Sequence, residues 1–231
     1  MTPDQTNDNP GNQLFPVFLK LNQLHVLLVG GGNVALEKLS AVLTNSPQTR
    51  ITIIAKDVLP EVRDYCSVFP QITIYEQAFA DSCLDNANLV IAATNDNKLN
   101  EQIKLAAHQR NLLVNIADKP DLCDFYLGSI VRKGDLKIAI STNGKSPTTA
   151  KRLKEVLSEA LPYELDTTLQ QMNALRNTLT GNFAEKVKKL NEITSVLTES
   201  EQEQKQNFNW VIWVVLLAAM IFIMALAIKK L

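Results

Sequence analysis

The chain has few of the residues that mark metal-binding, disulfide-rich or nucleic-acid-binding proteins. Its 231 residues include three cysteines and two histidines, and no two cysteines have metal-ligand or CxxC spacing. We therefore predict no metal site, and we expect reduced thiols, as in a cytoplasmic chain. The 23 lysines and arginines are balanced by 24 aspartates and glutamates, and this net charge of −1 gives no indication of nucleic-acid binding.

Long apolar runs are also absent until the C-terminus, where residues 210–228 are uniformly uncharged and apolar. At 1.5 Å per residue, a helix over this run would be roughly 28 Å long, about the thickness of a bilayer core. We therefore predict a single C-terminal transmembrane helix. We also expect the rest of the chain to lie at the cytoplasmic face of the inner membrane.

Three consecutive glycines separate an apolar segment, residues 25–29, from a segment with helical character. The spacing is G-x-G-x-x-A on Gly30, Gly32 and Ala35, with Gly31 between the first two. Strand, glycine turn and helix in this order are typical of a dinucleotide-binding fingerprint. Gly30 allows the tight turn, Gly32 lets backbone N–H groups approach a pyrophosphate, and the helix N-terminus favours the anion. We predict that Gly30, Gly31 and Gly32 bind the cofactor.

Alternating apolar and helical segments predict an α/β fold with a doubly wound parallel sheet over residues 14–117. The five predicted strands are residues 25–29, 50–54, 72–75, 89–93 and 112–116. The fourth runs directly into Thr94, which we assign to the cofactor site because strand ends at that edge line the ligand crevice. After the second strand, Asp57 comes late for a ribose-binding carboxylate and Lys56 could meet a 2′-phosphate. These residues therefore do not decide whether the cofactor is NAD or NADP.

The pattern changes after residue 117. Residues 128–132 and 136–140 flank Lys133-Gly134-Asp135 and predict a β-hairpin, and Ser146-Pro147 predicts the start of a helix that ends near residue 160. A mostly helical region follows, broken near Gly181. We predict a flexible tail over 1–13, a cofactor domain over 14–117, a dimerisation and active-site region over 118–162, a helical region over 163–207, and the membrane segment over 208–231.

Four segments, taken in order, resemble one family. They are Val-Gly-Gly-Gly-Asn-Val-Ala at 29–35, Ile-Ala-Ala-Thr-Asn-Asp at 91–96, Asn-Ile-Ala-Asp-Lys-Pro at 115–120 and Ser-Thr-Asn-Gly-Lys-Ser-Pro at 141–147. Together they are similar to precorrin-2 dehydrogenase, the dehydrogenase/ferrochelatase module of siroheme synthase. The resemblance covers about residues 14–162, and the ordered set is specific although each motif alone is not.

The resemblance implies NAD-dependent oxidation of precorrin-2 to sirohydrochlorin. In some members insertion of the substrate Fe²⁺ follows, giving siroheme. It also implies a homodimer in which the hairpin region makes much of the contact. It carries over Asn33 and Val34 at the pyrophosphate turn, Ala55 and Lys56 after the second strand, and Asp118 as the catalytic carboxylate. The loop that reads Ser-Ser-Gly-Gly in relatives is Ser-Thr-Asn-Gly here, so we carry no regulatory serine across.

Several alternatives stay open. Without the resemblance, Asp118 is more simply a turn-forming or helix-capping residue. Basic residues after the cofactor domain form either a solvated face or a field that attracts an acidic substrate. These residues are Arg132, Lys133, Lys137, Lys145, Lys151 and Arg152. The alternative functions are a membrane-tethered NAD-binding regulator without catalysis and a different Rossmann protein, such as a nucleotide-binding subunit of a transporter.

Overall fold

A computed structural model describes residues 12–162, 165–178 and 182–194. The strands in this part of the chain are β1 His25–Val29, β2 Arg50–Ala55, β3 Ile72–Glu76, β4 Leu89–Ala92, β5 Leu113–Ile116, β6 Ser129–Lys133 and β7 Leu136–Ile140. The α-helices are α1 Asn33–Asn45, α2 Pro60–Ser67, α3 Asn97–His108, α4 Pro147–Ala160, α5 Leu165–Thr178 and α6 Phe183–Thr194.

The first five strands form one parallel sheet in the order β3-β2-β1-β4-β5. The chain direction across the sheet reverses between β1 and β4, which makes this the topological switch point. Val29, at the end of β1, is in register with Ile54 of β2 and Ala92 of β4, and Ala92 is in register with Ile116 of β5. The carboxyl ends of four strands therefore lie at one level, and the residues that follow them share one edge.

Both faces of this sheet are buried, as its nearly continuous apolar strands require. On one face, Leu28 and Ile53 pack in a cluster with Leu39 of α1. On the other face, Leu27 and Val90 pack in a cluster with residues of α3. The two layers of helices fix the sheet and leave its carboxyl edge to carry the loops.

The hairpin β6–β7 and helix α4 follow the sheet. Arg132 donates from Nη1 to the carbonyl of Thr44 at 2.7 Å, and Lys137 donates from Nζ to the carbonyl of Asn45 at 2.6 Å. These carbonyls belong to the last turn of α1, where backbone acceptors lack helical partners and cations are favoured. At the start of α4, Ser146 Oγ caps the helix by accepting from the N–H of Thr149 at 3.2 Å, so the predicted helix start at Ser146-Pro147 is confirmed.

Residues 133–136 and the described residues from 161 to 194 belong to a second compact unit. In its described part, the tip of the hairpin is tied to α5, because Asp166 Oδ1 accepts from the N–H of Asp135 at 2.8 Å. Asp166 Oδ2 also accepts from Gln170 at 3.1 Å, one turn further along α5. This carboxylate therefore joins the two-residue turn to the first turn of the helix.

The predicted Rossmann-like parallel sheet is confirmed, but the transmembrane helix needs correction. In the described residues, no helix is long and apolar enough to cross a membrane. The longest, α4 and α5, have 14 residues each, or about 21 Å of rise, against roughly 30 Å for a bilayer core. The predicted span, 210–228, lies outside the described residues. The membrane helix, and the membrane location inferred from it, are therefore not supported. The predicted domain bounds stay a prediction.

Candidate active site

The glycine turn closes the end of β1 against its two neighbouring strands. Gly30 has φ +123°, a conformation that favours glycine, and its N–H donates to the carbonyl of Ile54 at 2.9 Å. A Cβ at Gly30 would lie 2.3 Å from the carbonyl oxygen of Ala93. This position therefore has no room for a side chain between β2 and β4.

The next two glycines have different surroundings. Gly31 is buried, and a Cβ there would lie 2.4 Å from the carbonyl oxygen of Asp57. Gly32 precedes α1 as its N-cap without a side-chain hydrogen bond, and a Cβ there would have no atom within 4 Å. Open space next to a helix N-terminus fits a pyrophosphate. Gly31 thus has no room for a side chain, whereas Gly32 has the open position that a dinucleotide requires.

The other predicted cofactor residues lie at the same edge of the sheet. Asn33 is exposed and Val34 is half-buried in the first turn of α1. Ala55 is buried as the last residue of β2, and the exposed Lys56 follows it. A cation and the neighbouring carboxylate of Asp57 are thus both accessible beyond β2.

Thr94 is fixed by a buried asparagine that the sequence analysis missed. Thr94 Oγ1 donates to Asn100 Oδ1 at 2.7 Å, and Asn100 Nδ2 donates back to the carbonyl of Thr94 at 3.1 Å. Asn100 is 1% exposed and lies on the same face of α3 as the buried Ile103 and Ala107. The sequence does contain a signal for this residue, because Asn100 is polar at a position where the helical spacing requires an apolar side chain.

Asp118 lies two residues beyond β5 and lines a cavity of about 440 Å³, within the usual range for ligand pockets. It is exposed and has φ +58°, a left-handed conformation that is uncommon outside glycine, asparagine and aspartate. Asn115 and Cys123 also contribute to the cavity wall, as do Ser141 and Thr142 of the loop after β7. The predicted catalytic carboxylate and the Ser-Thr-Asn-Gly loop therefore meet at one cavity.

Asp124 anchors the loop that carries Asp118. Its carboxylate accepts from Lys104 Nζ at 2.6 Å and from the N–H of Val114 at 2.9 Å, and it contacts His108 Nε2 at 3.0 Å. Burial raises the pKa of the Asp124 carboxyl, but these three partners outweigh it and hold the pKa below its ordinary value. The sequence analysis did not find this cluster.

Cys123 is bound within the same loop. Its Sγ accepts from the N–H of Ile116 at 3.2 Å and donates to the carbonyl of Ile116 at 3.1 Å. Burial raises the pKa of this thiol, which the N–H of Ile116 and the charges of Lys104 and Lys38 oppose. A thiol held in its protonated form is a poor nucleophile. The geometry therefore gives Cys123 a packing role.

The basic residues near the cavity differ from those that the sequence suggested. Arg132 and Lys137 are bonded to the end of α1. Among the described residues, the charged side chains that line the cavity are Lys38, Asp118 and Lys119. Lys38 comes from α1, and the sequence analysis did not single it out.

A parallel sheet of this order, with an open glycine turn at its switch point, defines the class: the chain is a Rossmann-type NAD(P)-binding protein. A family model for NAD(P)-binding domains matches residues 17–129, and the model described as sirohaem biosynthesis protein, central, matches residues 133–159. The chain is therefore similar to sirohaem-biosynthesis proteins over most of residues 17–159. The resemblance found in the sequence is thereby confirmed.

Comparisons with individual proteins agree with the two family models. The chain is 39% identical over 150 residues to the siroheme synthase of Psychromonas ingrahamii, and 37% identical over 176 residues to that of Pseudoalteromonas translucida. These matches cover 65% and 76% of this chain but 31% and 35% of those proteins. The chain thus spans about a third of the siroheme synthases it matches. The solved structure described as SirC, precorrin-2 dehydrogenase, is similar with a TM-score of 0.64 at 27% identity, covering 78% of this chain and 89% of that one.

Proposed function

We propose that the chain is an NAD(P)-dependent dehydrogenase that oxidises precorrin-2 to sirohydrochlorin. The observation that carries the proposal is the position of Asp118, which lines a cavity at the sheet edge where the glycine turn also lies. Two similar proteins named siroheme synthase and a similar structure named precorrin-2 dehydrogenase support this substrate. The proposed cofactor residues are Gly30, Gly31, Gly32, Asn33, Val34, Ala55, Lys56 and Thr94.

The reaction removes a hydride from a ring carbon and a proton from the macrocycle. When bound, NAD(P) supplies the acceptor for the hydride. Asp118 is proposed as the base that takes the proton onto its carboxylate, which requires it to be ionised and within hydrogen-bond reach of the substrate. Its place in the cavity wall and its exposure leave the carboxylate accessible.

The loop geometry supports this role. Asp118 has a left-handed backbone, and such conformations persist only where the surrounding structure holds them. Ala117 donates from its N–H to the carbonyl of Ala92 at 2.9 Å, just before Asp118, and Asp124 is bonded to Val114 just after the loop. The segment is therefore tied to the sheet at both ends. A base fixed in this way loses little freedom when substrate binds.

We also propose that the protein forms a homodimer, as the family resemblance implies. Leu153 and Val156 lie three residues apart on α4 and are 44% and 61% exposed. Exposed apolar side chains on one helix face favour an interface. Val156→Glu should shift the protein to a smaller species in light scattering coupled to gel filtration. An unchanged mass would contradict the assignment of α4 to the contact.

The test of the proposed function is NADH formation from enzymatically prepared precorrin-2. Full-length protein with NAD, or with NADP, should produce absorbance at the wavelength of the reduced nicotinamide together with the spectrum of sirohydrochlorin. Binding of cofactor without turnover would instead favour a regulator that kept the fold without catalysis. The insertion of Fe²⁺ stays a prediction.

A further inference from the structure

The cavity beside Asp118 contains a cation from an unexpected place. Lys38 belongs to α1, the helix that follows the glycine turn, and its side chain is 20% exposed. It lies three residues after Ala35 and four before Val42, both of which are buried. Lys38 therefore flanks the core-facing stripe of α1, and its mostly covered side chain contributes to the cavity wall.

The electrostatics of Cys123 agree with this placement of Lys38. Burial raises the pKa of the Cys123 thiol, and the Lys38 ammonium is among the groups that oppose this rise. Cys123 belongs to the loop after β5 and also lines the cavity. Lys38 of α1 and Cys123 of the loop after β5 thus line the same cavity.

Among the described residues the ammonium has one close carboxylate, and that contact is weak. Lys38 Nζ lies 3.0 Å from Glu37 Oε1, and the Glu37 side chain is 72% exposed. Ion pairs with an exposed partner contribute little because water screens them. The Lys38 ammonium can therefore exchange Glu37 for a carboxylate of a ligand at small cost.

Other cations are less suitable for the same role. Arg132 and Lys137 donate to carbonyls at the end of α1. Lys119 lines the cavity, but it is exposed and follows the proposed base directly. A partly buried ammonium binds a carboxylate more strongly than an exposed one, because less water competes.

We propose that Lys38 binds a peripheral carboxylate of the tetrapyrrole substrate and so positions the macrocycle against Asp118. The proposal rests on the proposed function, because it takes its ligand to be a polycarboxylate tetrapyrrole. Helix α1 would then contact both ligands. Its N-terminus would bind the cofactor, and Lys38, five residues after the first residue of the helix, would bind the substrate.

The test compares Lys38→Gln with Lys38→Arg and with Lys20→Gln. Lys20 is exposed and precedes β1 at the opposite end of that strand, so it is the matched control. Lys38→Gln should raise KM for precorrin-2 about tenfold with kcat within about twofold, the size expected for one charge-assisted hydrogen bond. It should also weaken the binding of sirohydrochlorin, followed by the absorbance of the tetrapyrrole, by a similar factor.

Three further results are expected. Lys38→Arg should keep most of the affinity because it keeps the charge, and Lys20→Gln should behave as the wild type. The increase of wild-type KM with salt should be smaller in Lys38→Gln. The dissociation constant for NAD(P)H should not change in any of the three variants, because the proposed contact is with substrate.

Several outcomes would overturn the assignment. One is a KM and a sirohydrochlorin affinity in Lys38→Gln equal to those of the wild type. Another is a loss of NAD(P)H affinity as large as the rise in KM, which would assign Lys38 to the cofactor. A Lys38→Gln protein that is unfolded by circular dichroism, with Lys38→Arg folded but unable to bind sirohydrochlorin, would also contradict it. Absence of turnover in the wild type would instead count against the proposed function, while sirohydrochlorin binding still tests Lys38.

Discussion

Val114 and Asp124 are joined by two hydrogen bonds of opposite direction. The N–H of Val114 donates to Asp124 Oδ2 at 2.9 Å, and the N–H of Asp124 donates to the carbonyl of Val114 at 2.8 Å. The eleven residues from Val114 to Asp124 contain most of β5, the proposed base and the Cys123 turn. This pair therefore closes the loop that presents Asp118, and its stability should govern the precision of the site.

The first prediction concerns the stability of this closure. Asp124→Asn removes the charge that Lys104 and His108 contact, and it should lower the free energy of unfolding by about 1 kcal/mol at pH 6. The effect is modest because the side chain is 20% exposed and water screens the pairs. Urea denaturation measures it. Asp121→Asn, an exposed change in the same loop, should have no effect.

The same variant makes a prediction about pH. The folded-state pKa of Asp124 lies below its ordinary value of 3.8, so the ionised form stabilises the fold above that pH. The stabilisation should be lost as the pH falls below about 4 toward the folded-state pKa. The difference in unfolding free energy between wild type and Asp124→Asn should therefore be constant above pH 5 and should shrink from pH 4 to pH 3. A difference that grows in this range would contradict the role of the carboxylate.

The second prediction separates two neighbouring glycines. Gly32→Val should fold normally, because the position has open space and φ −96°, but it should weaken NAD(P)H binding at least about tenfold by blocking the pyrophosphate. Gly31→Ala should lower the melting temperature instead, because its Cβ would collide with the carbonyl of Asp57. Fluorescence titration and thermal denaturation of both variants check this. Unchanged cofactor affinity in a folded Gly32→Val protein would remove the fingerprint assignment.

The third prediction concerns the attachment of the hairpin to α1. Replacing Arg132 and Lys137 together by alanine should lower the unfolding free energy by about 1 kcal/mol, because two carbonyls at the helix end lose charged donors. Arg152→Ala, an exposed change on α4, is the control. If the double variant and the control are equally stable, the two contacts contribute nothing.

Local patterns account for the part of the fold that the sequence predicts correctly. Apolar runs such as residues 25–29 and 50–54 predict strands because a parallel sheet is buried on both faces. Ser146-Pro147 predicts the start of α4 because Ser146 caps that helix. The open position at Gly32 follows from the same local spacing. In each case the neighbours in sequence supply the physical cause.

The features that the sequence does not predict depend on contacts between residues that are far apart in the chain. Gly31 is constrained by the carbonyl of Asp57, and Lys104 and His108 of α3 meet Asp124 only after the sheet has formed. Arg132 meets its acceptor 88 residues away in the chain. Lys38 is likewise an ordinary helix lysine until the loop after β5 contributes to the same cavity. The spacing of residues along one segment carries no information about such partners.

The most direct test of the central proposal is the turnover of Asp118→Asn with precorrin-2 and NAD(P). Asparagine has nearly the same size and also tolerates the left-handed backbone at this position, so the loop should keep its form. We predict that NAD(P)H affinity is unchanged and that the rate of sirohydrochlorin formation falls about a hundredfold or more, the usual contribution of a general base. Asp121→Asn should turn over normally. An Asp118→Asn protein that forms sirohydrochlorin at the wild-type rate would contradict the account.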